Sequence, residues 1–227
     1  MIYAVIAAGG IGSRMGSEIP KQYIEINSKA IINHTIDKFI KCDRIDKIIV
    51  LCPLEWLEYT KKIIDSRDVA VIQGGDTRNE TLMNAIKFID NTDGLYDDTV
   101  IITHDAVRPF VTEKMIEDNI NAVLKYGAVG TVIPAVDTIT ESLDGEVITS
   151  IPDRSVLYQA QTPQSFKAKM LKELYEELSN EEKDILTDAC KICVLKGQQV
   201  HLVKGEVSNI KITYPYDLIV AEAILKA

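Results

Sequence analysis

Several scarcities limit what this chain can be. Among 227 residues there are only four cysteines, Cys42, Cys52, Cys190 and Cys193. Cys190-Lys191-Ile192-Cys193 is formally C-x-x-C, which admits a redox or zinc reading, but no second close pair accompanies it. The stretch 187–196 has a helical pattern, so ordinary helix positions are the expected reading. No unbroken apolar run approaches the roughly 18 residues that a membrane span needs. An excess of cations is also missing. The chain has 25 Lys and Arg against 34 Asp and Glu, a net charge of −9, and this argues against a nucleic-acid partner. The first residues, Met1 to Ala8, carry no basic segment and run directly into glycines. They read as a first strand and not as a signal peptide, so a cytoplasmic location is expected. No repeat, low-complexity tract or linker interrupts residues 1–227, which read as one domain.

What is present is an alternation of short β-branched runs with amphipathic segments, the pattern of a largely parallel α/β sheet. Strands are predicted at 3–8, 47–52, 69–72, 99–103, 131–135 and 200–203. Between the first two, Ile31, Ile32, Thr35, Ile36, Phe39 and Ile40 recur at helical spacing. Further helices are expected over 54–66, after Asn79 as a cap, and after Thr112 as a cap. Right-handed crossovers between the strands would give three layers. The alternation lapses over about 137–160. There, 138–142 and 146–151 read as a hairpin around Leu143-Asp144-Gly145, a β-arm projecting from the domain. An isolated hairpin is marginal in water, which suggests a symmetric dimer.

Five segments carry candidate chemistry. The first is Ala7-Ala8-Gly9-Gly10-Ile11-Gly12-Ser13-Arg14-Met15-Gly16, followed by Pro20-Lys21-Gln22. Glycines after a strand let backbone N–H groups approach phosphate closely. The dinucleotide fingerprint fails because Met15 stands where its third glycine belongs, and the P-loop fails for lack of Gly-Lys-Ser/Thr. The loop instead offers two cations, Arg14 and Lys21, suited to a triphosphate with departing pyrophosphate. Solvated cations on a plain turn are the alternative. The second, Gln73-Gly74-Gly75-Asp76-Thr77-Arg78-Asn79, has the backbone donors and carboxylate to read a base edge, or forms a surface turn with a cap.

The third, Thr103-His104-Asp105-Ala106-Val107-Arg108-Pro109, ends the fourth predicted strand, where ligands bind in open α/β sheets. Asp105 there suits Mg²⁺, which takes one or two protein carboxylates and fills its shell from water and phosphate. Arg108 is placed to meet a second phosphate. His104 is read as structural, because a phosphate nucleophile is already ionised and needs no base. The fourth pairs Pro152-Asp153-Arg154 with Gln161-Thr162-Pro163-Gln164, either a substrate-phosphate grip or arm packing with a proline turn. In the fifth, Asn209-Ile210-Lys211, the ammonium stands among apolar neighbours and needs a partner, whether structural or substrate.

Together, in this order and over nearly the whole chain, these motifs resemble the short cytidylyltransferases that activate methylerythritol phosphate or ribitol 5-phosphate. The resemblance implies a three-layer, Rossmann-like, mostly parallel sheet of the nucleotide-diphospho-sugar transferase type. It further implies transfer of CMP from CTP to a polyol phosphate, with Mg²⁺ or another hard divalent cation bound at Asp105. Arg14, Lys21 and Lys211 would be catalytic. Ala7, Ala8, Gly9, Gly10, Gly12, Gly75, Asp76, Arg78 and Thr81 would hold the nucleotide. Arg108, Thr138, Arg154, Thr162 and Thr187 would hold the acceptor. Arm exchange would make a homodimer in which Arg154 serves the neighbour's site.

For the acceptor, Trp56 and the segments 104–110, 158–166, 186–191 and 215–218 resemble the ribitol-phosphate branch, which serves cell-wall polyols. Pro152-Asp153-Arg154-Ser155 resembles the methylerythritol branch, which serves isoprenoid synthesis. Ribitol 5-phosphate is therefore the expected acceptor, with methylerythritol phosphate as the alternative. The rival classes are a nucleotidyltransferase using another nucleotide and a non-catalytic nucleotide-binding module.

Overall fold

The computed structural model describes residues 1–10, 15–16, 19–64, 66 and 68–226. Its centre is a seven-stranded sheet ordered β5-β4-β1-β6-β8-β7-β9. These strands are β1 (Ile2–Ala7), β4 (Lys47–Cys52), β5 (Val69–Gln73), β6 (Val100–Asp105), β7 (Ala128–Pro134), β8 (Tyr158–Lys167) and β9 (His201–Lys204). A two-stranded hairpin, β2 (Glu25–Ile26) with β3 (Lys29–Ala30), stands apart. β1 pairs in parallel with β4 and β6, and β4 with β5; β8 runs antiparallel to both its neighbours.

The sheet is apolar on both faces, as a sheet covered by helices must be. Ala4, Ile6, Ile48, Val50, Val100 and Ile102 pack on one side, against α1 (Ile31–Ile40), α2 (Leu57–Ile64) and α4 (Glu113–Tyr126). Tyr3, Val5, Ile49, Leu51, Ile101 and Phe166 pack on the other, against α3 (Arg78–Thr92), α5 (Ala168–Glu176) and α7 (Ala189–Leu195). These are the three expected layers. A short α6 (Asn180–Asp184) lies between α5 and α7, and α8 (Pro215–Lys226) closes a smaller cluster with Met15, Ile26, Val107 and Phe110.

Four local expectations are corrected. The helix expected over 54–66 opens as a 3-10 turn at Leu54–Trp56 before α2 begins. α3 is capped by Thr77 and not by Asn79. The Thr77 hydroxyl accepts the Glu80 N–H at 3.1 Å, and the Glu80 carboxylate accepts the Thr77 N–H at 3.1 Å, a reciprocal capping box. The predicted arm hairpin is reduced to one bridge, Glu141 to Ser150, around the turn at Gly145, whose φ is +79°.

The fourth correction is β8 itself, which was not among the predicted strands and where a proline turn had been one of two readings. Pro163 lies inside that strand, opposite a shift in the β7 register between Gly130 and Val132. A proline has no N–H for a ladder, and here its carbonyl accepts the Thr131 hydroxyl at 2.6 Å instead. Cys190 and Cys193 sit on α7 as free thiols, and burial pushes both up, Cys193 to about 12. Neither is a thiolate at neutral pH, which fits helix packing and not redox chemistry.

Candidate active site

The chain leaves β1 for β4 and β5 on one side, then returns across β1 to β6 on the other. A crevice forms where the strand order reverses, at the carboxyl ends of the strands. Ala7, the last residue of β1, is in register with Asp105, the last residue of β6. A cleft of about 310 Å³ opens there. Its lining joins five stretches that are distant in sequence: 7–10, Lys21 with Gln22, the 75–77 turn with the start of α3, 105–107, and Lys211.

Backbone and side-chain bonds fix each wall. The Ala106 N–H donates to the Ala7 carbonyl at 3.0 Å, tying β6 to β1 beyond the last ladder pair. The buried Gln22 amide donates to the Ala8 carbonyl at 2.7 Å, holding the exit of the glycine segment. Lys21, 7% exposed, opens the 3-10 turn beside it. On the opposite wall the Gly75 N–H donates to the Thr81 hydroxyl at 3.0 Å. The Asp76 N–H donates to the Glu80 carboxylate at 3.0 Å. A Cβ on Gly75 would lie 2.5 Å from the Glu80 Cβ and 2.9 Å from the Thr81 nitrogen, so this turn closes on α3 only because residue 75 is glycine.

Asp105 is the electrostatic centre and is only 5% exposed. Arg78 pairs with its Oδ1, while Lys211 Nζ lies 3.0 Å and Arg108 Nε 3.4 Å from its Oδ2. Burial alone would raise this carboxyl, but Arg78, Lys211 and Arg108 outweigh burial and hold it well below the usual carboxylate range. It is therefore anionic at any working pH.

His104 lies beneath. Its Nε2 is 3.0 Å from the Arg108 carbonyl and its Nδ1 is 3.0 Å from the Thr162 hydroxyl, which also accepts the Asp105 N–H at 3.1 Å. The Arg108 carbonyl can only accept, so Nε2 carries the proton and donates to it, and the Thr162 hydroxyl donates to the bare Nδ1. Burial pushes the His104 pKa down to about 4, so this structural histidine is neutral.

The predicted site residues fall into three groups. Ala7, Ala8, Gly9, Gly10, Lys21, Gly75, Asp76, Arg78, Thr81, Asp105 and Lys211 line the cleft together. Arg108 and Thr162 stand behind it. Arg108 is held by Asp105 and by the Asn209 carbonyl at 2.8 Å, and Thr162 is engaged in the His104 network. Thr138 and Arg154 are exposed on the arm, where Arg154 donates to the Val136 carbonyl at 2.6 Å, and Thr187 is exposed just before α7; none of the three lines the cleft. Gly12 and Arg14 lie outside the described residues. The sequence reading missed Glu80 as the group that orders the 75–77 turn. Its signal was available, since Thr77-Arg78-Asn79-Glu80 has capping-box spacing.

A family model described as IspD, 2-C-methyl-D-erythritol 4-phosphate cytidylyltransferase, matches residues 2–227. The chain belongs to this family. It is similar to the 4-diphosphocytidyl-2C-methyl-D-erythritol synthase of Anaerococcus prevotii, with 30% identity, a TM-score of 0.82, and coverage of 100% of this chain and 96% of that one. It is likewise similar to the 2-C-methyl-D-erythritol 4-phosphate cytidylyltransferase of Francisella tularensis, with 29% identity, a TM-score of 0.84, and 98% coverage of each. The chain is thus a cytidylyltransferase, an IspD-type nucleotidyltransferase that uses CTP and a sugar phosphate. These likenesses fit the methylerythritol alternative better than the ribitol 5-phosphate that the motif resemblances favoured. Among the described residues no helix is long and apolar enough to cross a membrane.

Proposed function

We propose that this chain transfers CMP from CTP to 2-C-methyl-D-erythritol 4-phosphate, releasing pyrophosphate. One observation carries the transfer half: a single buried carboxylate, Asp105, is gathered with Arg78, Lys211 and Arg108 at the ends of β1 and β6. An acidic chain that concentrates cations at one point is built for polyanions there. The family match over residues 2–227 supports the acceptor half, as does Asp153-Arg154-Ser155 near the arm.

In this reading the acceptor's phosphate oxygen attacks the α-phosphorus of CTP in line. A P–O bond forms to the acceptor, the bond to the β-phosphate oxygen breaks, and its electron pair leaves with pyrophosphate. The nucleophile is already anionic, so positioning and charge stabilisation supply the rate. Lys21, Lys211 and Arg14 neutralise the charge that accumulates on the pentacoordinate phosphorus and its leaving group. The backbone at Ala7, Ala8, Gly9 and Gly10 lies along the phosphates, and Arg78 meets them from α3; the motif resemblance assigns Gly12 to the nucleotide as well. Gly75, Asp76 and Thr81 read the cytosine edge. Arg108, Thr138, Thr162 and Thr187 serve the acceptor side, and Arg154 serves it from the exchanged arm of a second copy in a homodimer.

The donor set fits a hard divalent cation such as Mg²⁺. Among the described residues no group of three or more His, Cys, Asp or Glu could hold a metal alone, and one carboxylate suffices when phosphates complete the shell. Asp105 would hold it, and it would supply charge neutralisation on the triphosphate.

The test is a panel of CTP and Mg²⁺ with each candidate polyol phosphate, followed by pyrophosphate release. Turnover with methylerythritol phosphate and none with ribitol 5-phosphate is expected. The reverse preference would return the chain to the ribitol branch.

A further inference from the structure

In the empty cleft the place of a metal on Asp105 is already taken by protein cations. Both of its oxygens are engaged, Oδ1 by Arg78 and Oδ2 by Lys211 and Arg108. Three unit positive charges surround the single charge of Asp105, and the same cleft is lined by Lys21 and by Asp76, so cations still outnumber carboxylates there. A bare dication entering here would meet net repulsion, and it would find no other cluster of carboxylates or imidazoles among the described residues. A nucleoside triphosphate reverses the sign, because its oxygens outbid one carboxylate for the cations.

The three cations are not equally free to leave. Arg108 has its side chain only 11% exposed and is also anchored by Nη1 to the Asn209 carbonyl at 2.8 Å. Lys211 shares Oδ2 with Arg108, so its departure leaves that oxygen still covered. Among the described residues, Arg78 alone covers Oδ1. It is the first residue of α3, lines the cleft beside Gly9, Gly10 and Lys21, and its side chain is 29% exposed. From that position its guanidinium can turn from the carboxylate to a phosphate in the same cleft.

We propose that Arg78 is a placeholder cation, which neutralises Asp105 in the empty enzyme and yields it to a divalent metal only when a triphosphate draws Arg78 away. The enzyme then takes its metal as the metal–nucleotide complex and has little affinity for the free ion. Arg78 acts on metal binding through Asp105, as a positioning residue. The inference rests on the reading of Asp105 as the metal's protein ligand.

The experiment titrates Mn²⁺ into the metal-stripped full-length protein and reads bound ion by electron paramagnetic resonance, with and without CTP and with no acceptor present. Nucleotide-free wild type should bind Mn²⁺ barely, and the CTP complex should bind it well. Arg78→Gln should gain nucleotide-free Mn²⁺ affinity on the order of tenfold, as expected for removing one unit charge in contact with the ligand. Arg78→Lys, which keeps the charge, should resemble wild type, and adding Asp105→Asn to Arg78→Gln should abolish the gain. Wild type that binds Mn²⁺ as tightly without nucleotide as with it would overturn the proposal, and this arm needs no variant to fold. So would an unchanged affinity in a folded Arg78→Gln protein. If Asp105→Asn leaves Mn²⁺ binding in the CTP complex unaltered, the assignment of Asp105 as ligand fails, and the placeholder role fails with it.

Discussion

Acidification should weaken this fold through His104, by an amount the structure sets. The ring is fully buried, and burial first, then Arg108 and Arg78 nearby, outweigh the raising contacts and bring its pKa down to about 4. In the unfolded chain the same side chain titrates near 6.5. Between those values the unfolded state carries a proton that the native state refuses. Stability contributed by the neutral ring is therefore complete above about pH 6.5 and is lost as pH falls toward 4. The loss amounts to about 3 kcal/mol across that window. His104→Gln keeps one donor and one acceptor but cannot be protonated there. Urea unfolding of nucleotide-free, metal-free wild type and variant at several pH values from 7 to 4.5 checks this. The stability advantage of wild type should shrink as pH falls, by up to about 3 kcal/mol at the acid end. A wild-type-minus-variant difference that stays constant with pH would refute the reasoning.

Three further outcomes follow from named contacts. Gly75→Ala places a methyl 2.5 Å from the Glu80 Cβ and 2.9 Å from backbone atoms, so calorimetry should find CTP binding weakened at least about tenfold, with about 1–3 kcal/mol lost from stability. Thr77→Ala removes the α3 cap and should cost about 1 kcal/mol in denaturant unfolding, while Thr77→Ser should recover most of it. Arg154→Ala should raise the acceptor KM, and Lys21→Ala should lower kcat far more than CTP affinity. Mixing the two impaired proteins should raise activity at low acceptor concentration through hybrid dimers, and no recovery would argue against a site shared across the arms.

Periodicity made the central layers legible. The predicted limits of β4 are those observed, and the repeat from Ile31 to Ile40 is α1 from end to end. β4 buries Ile48 to Cys52 and α1 buries Ile31, Ile32, Thr35, Ile36 and Phe39, so local sequence and packing agree. β8 was illegible for the opposite reason. Its centre, Gln161-Thr162-Pro163-Gln164, is polar and contains a proline, yet it is buried. Its side chains find partners far along the chain: Gln161 donates to the Glu206 carbonyl, Thr162 meets His104 and Gln164 donates to Asp188. Such compensation exists only after folding.

The site was legible as a set of motifs but not as an arrangement. Asp105 and Arg108 were foreseen as neighbours three residues apart. Nothing in the spacing announced that Arg78, 27 residues earlier, would share the same carboxylate, because that pairing depends on strand order. The acceptor was harder still, since 158–166 is spent mostly on pairing β8 with β6 and β7, and of 104–110 only Asp105, Ala106 and Val107 line the cleft.

The most direct measurement of the central claim is ³¹P nuclear magnetic resonance of the enzyme with CTP, Mg²⁺ and 2-C-methyl-D-erythritol 4-phosphate. The account predicts that the acceptor's phosphomonoester resonance is replaced by a coupled pair from a new diphosphate linkage, with one pyrophosphate formed per linkage. Retention of that monoester signal while ribitol 5-phosphate, under the same conditions, gives the coupled pair would contradict it.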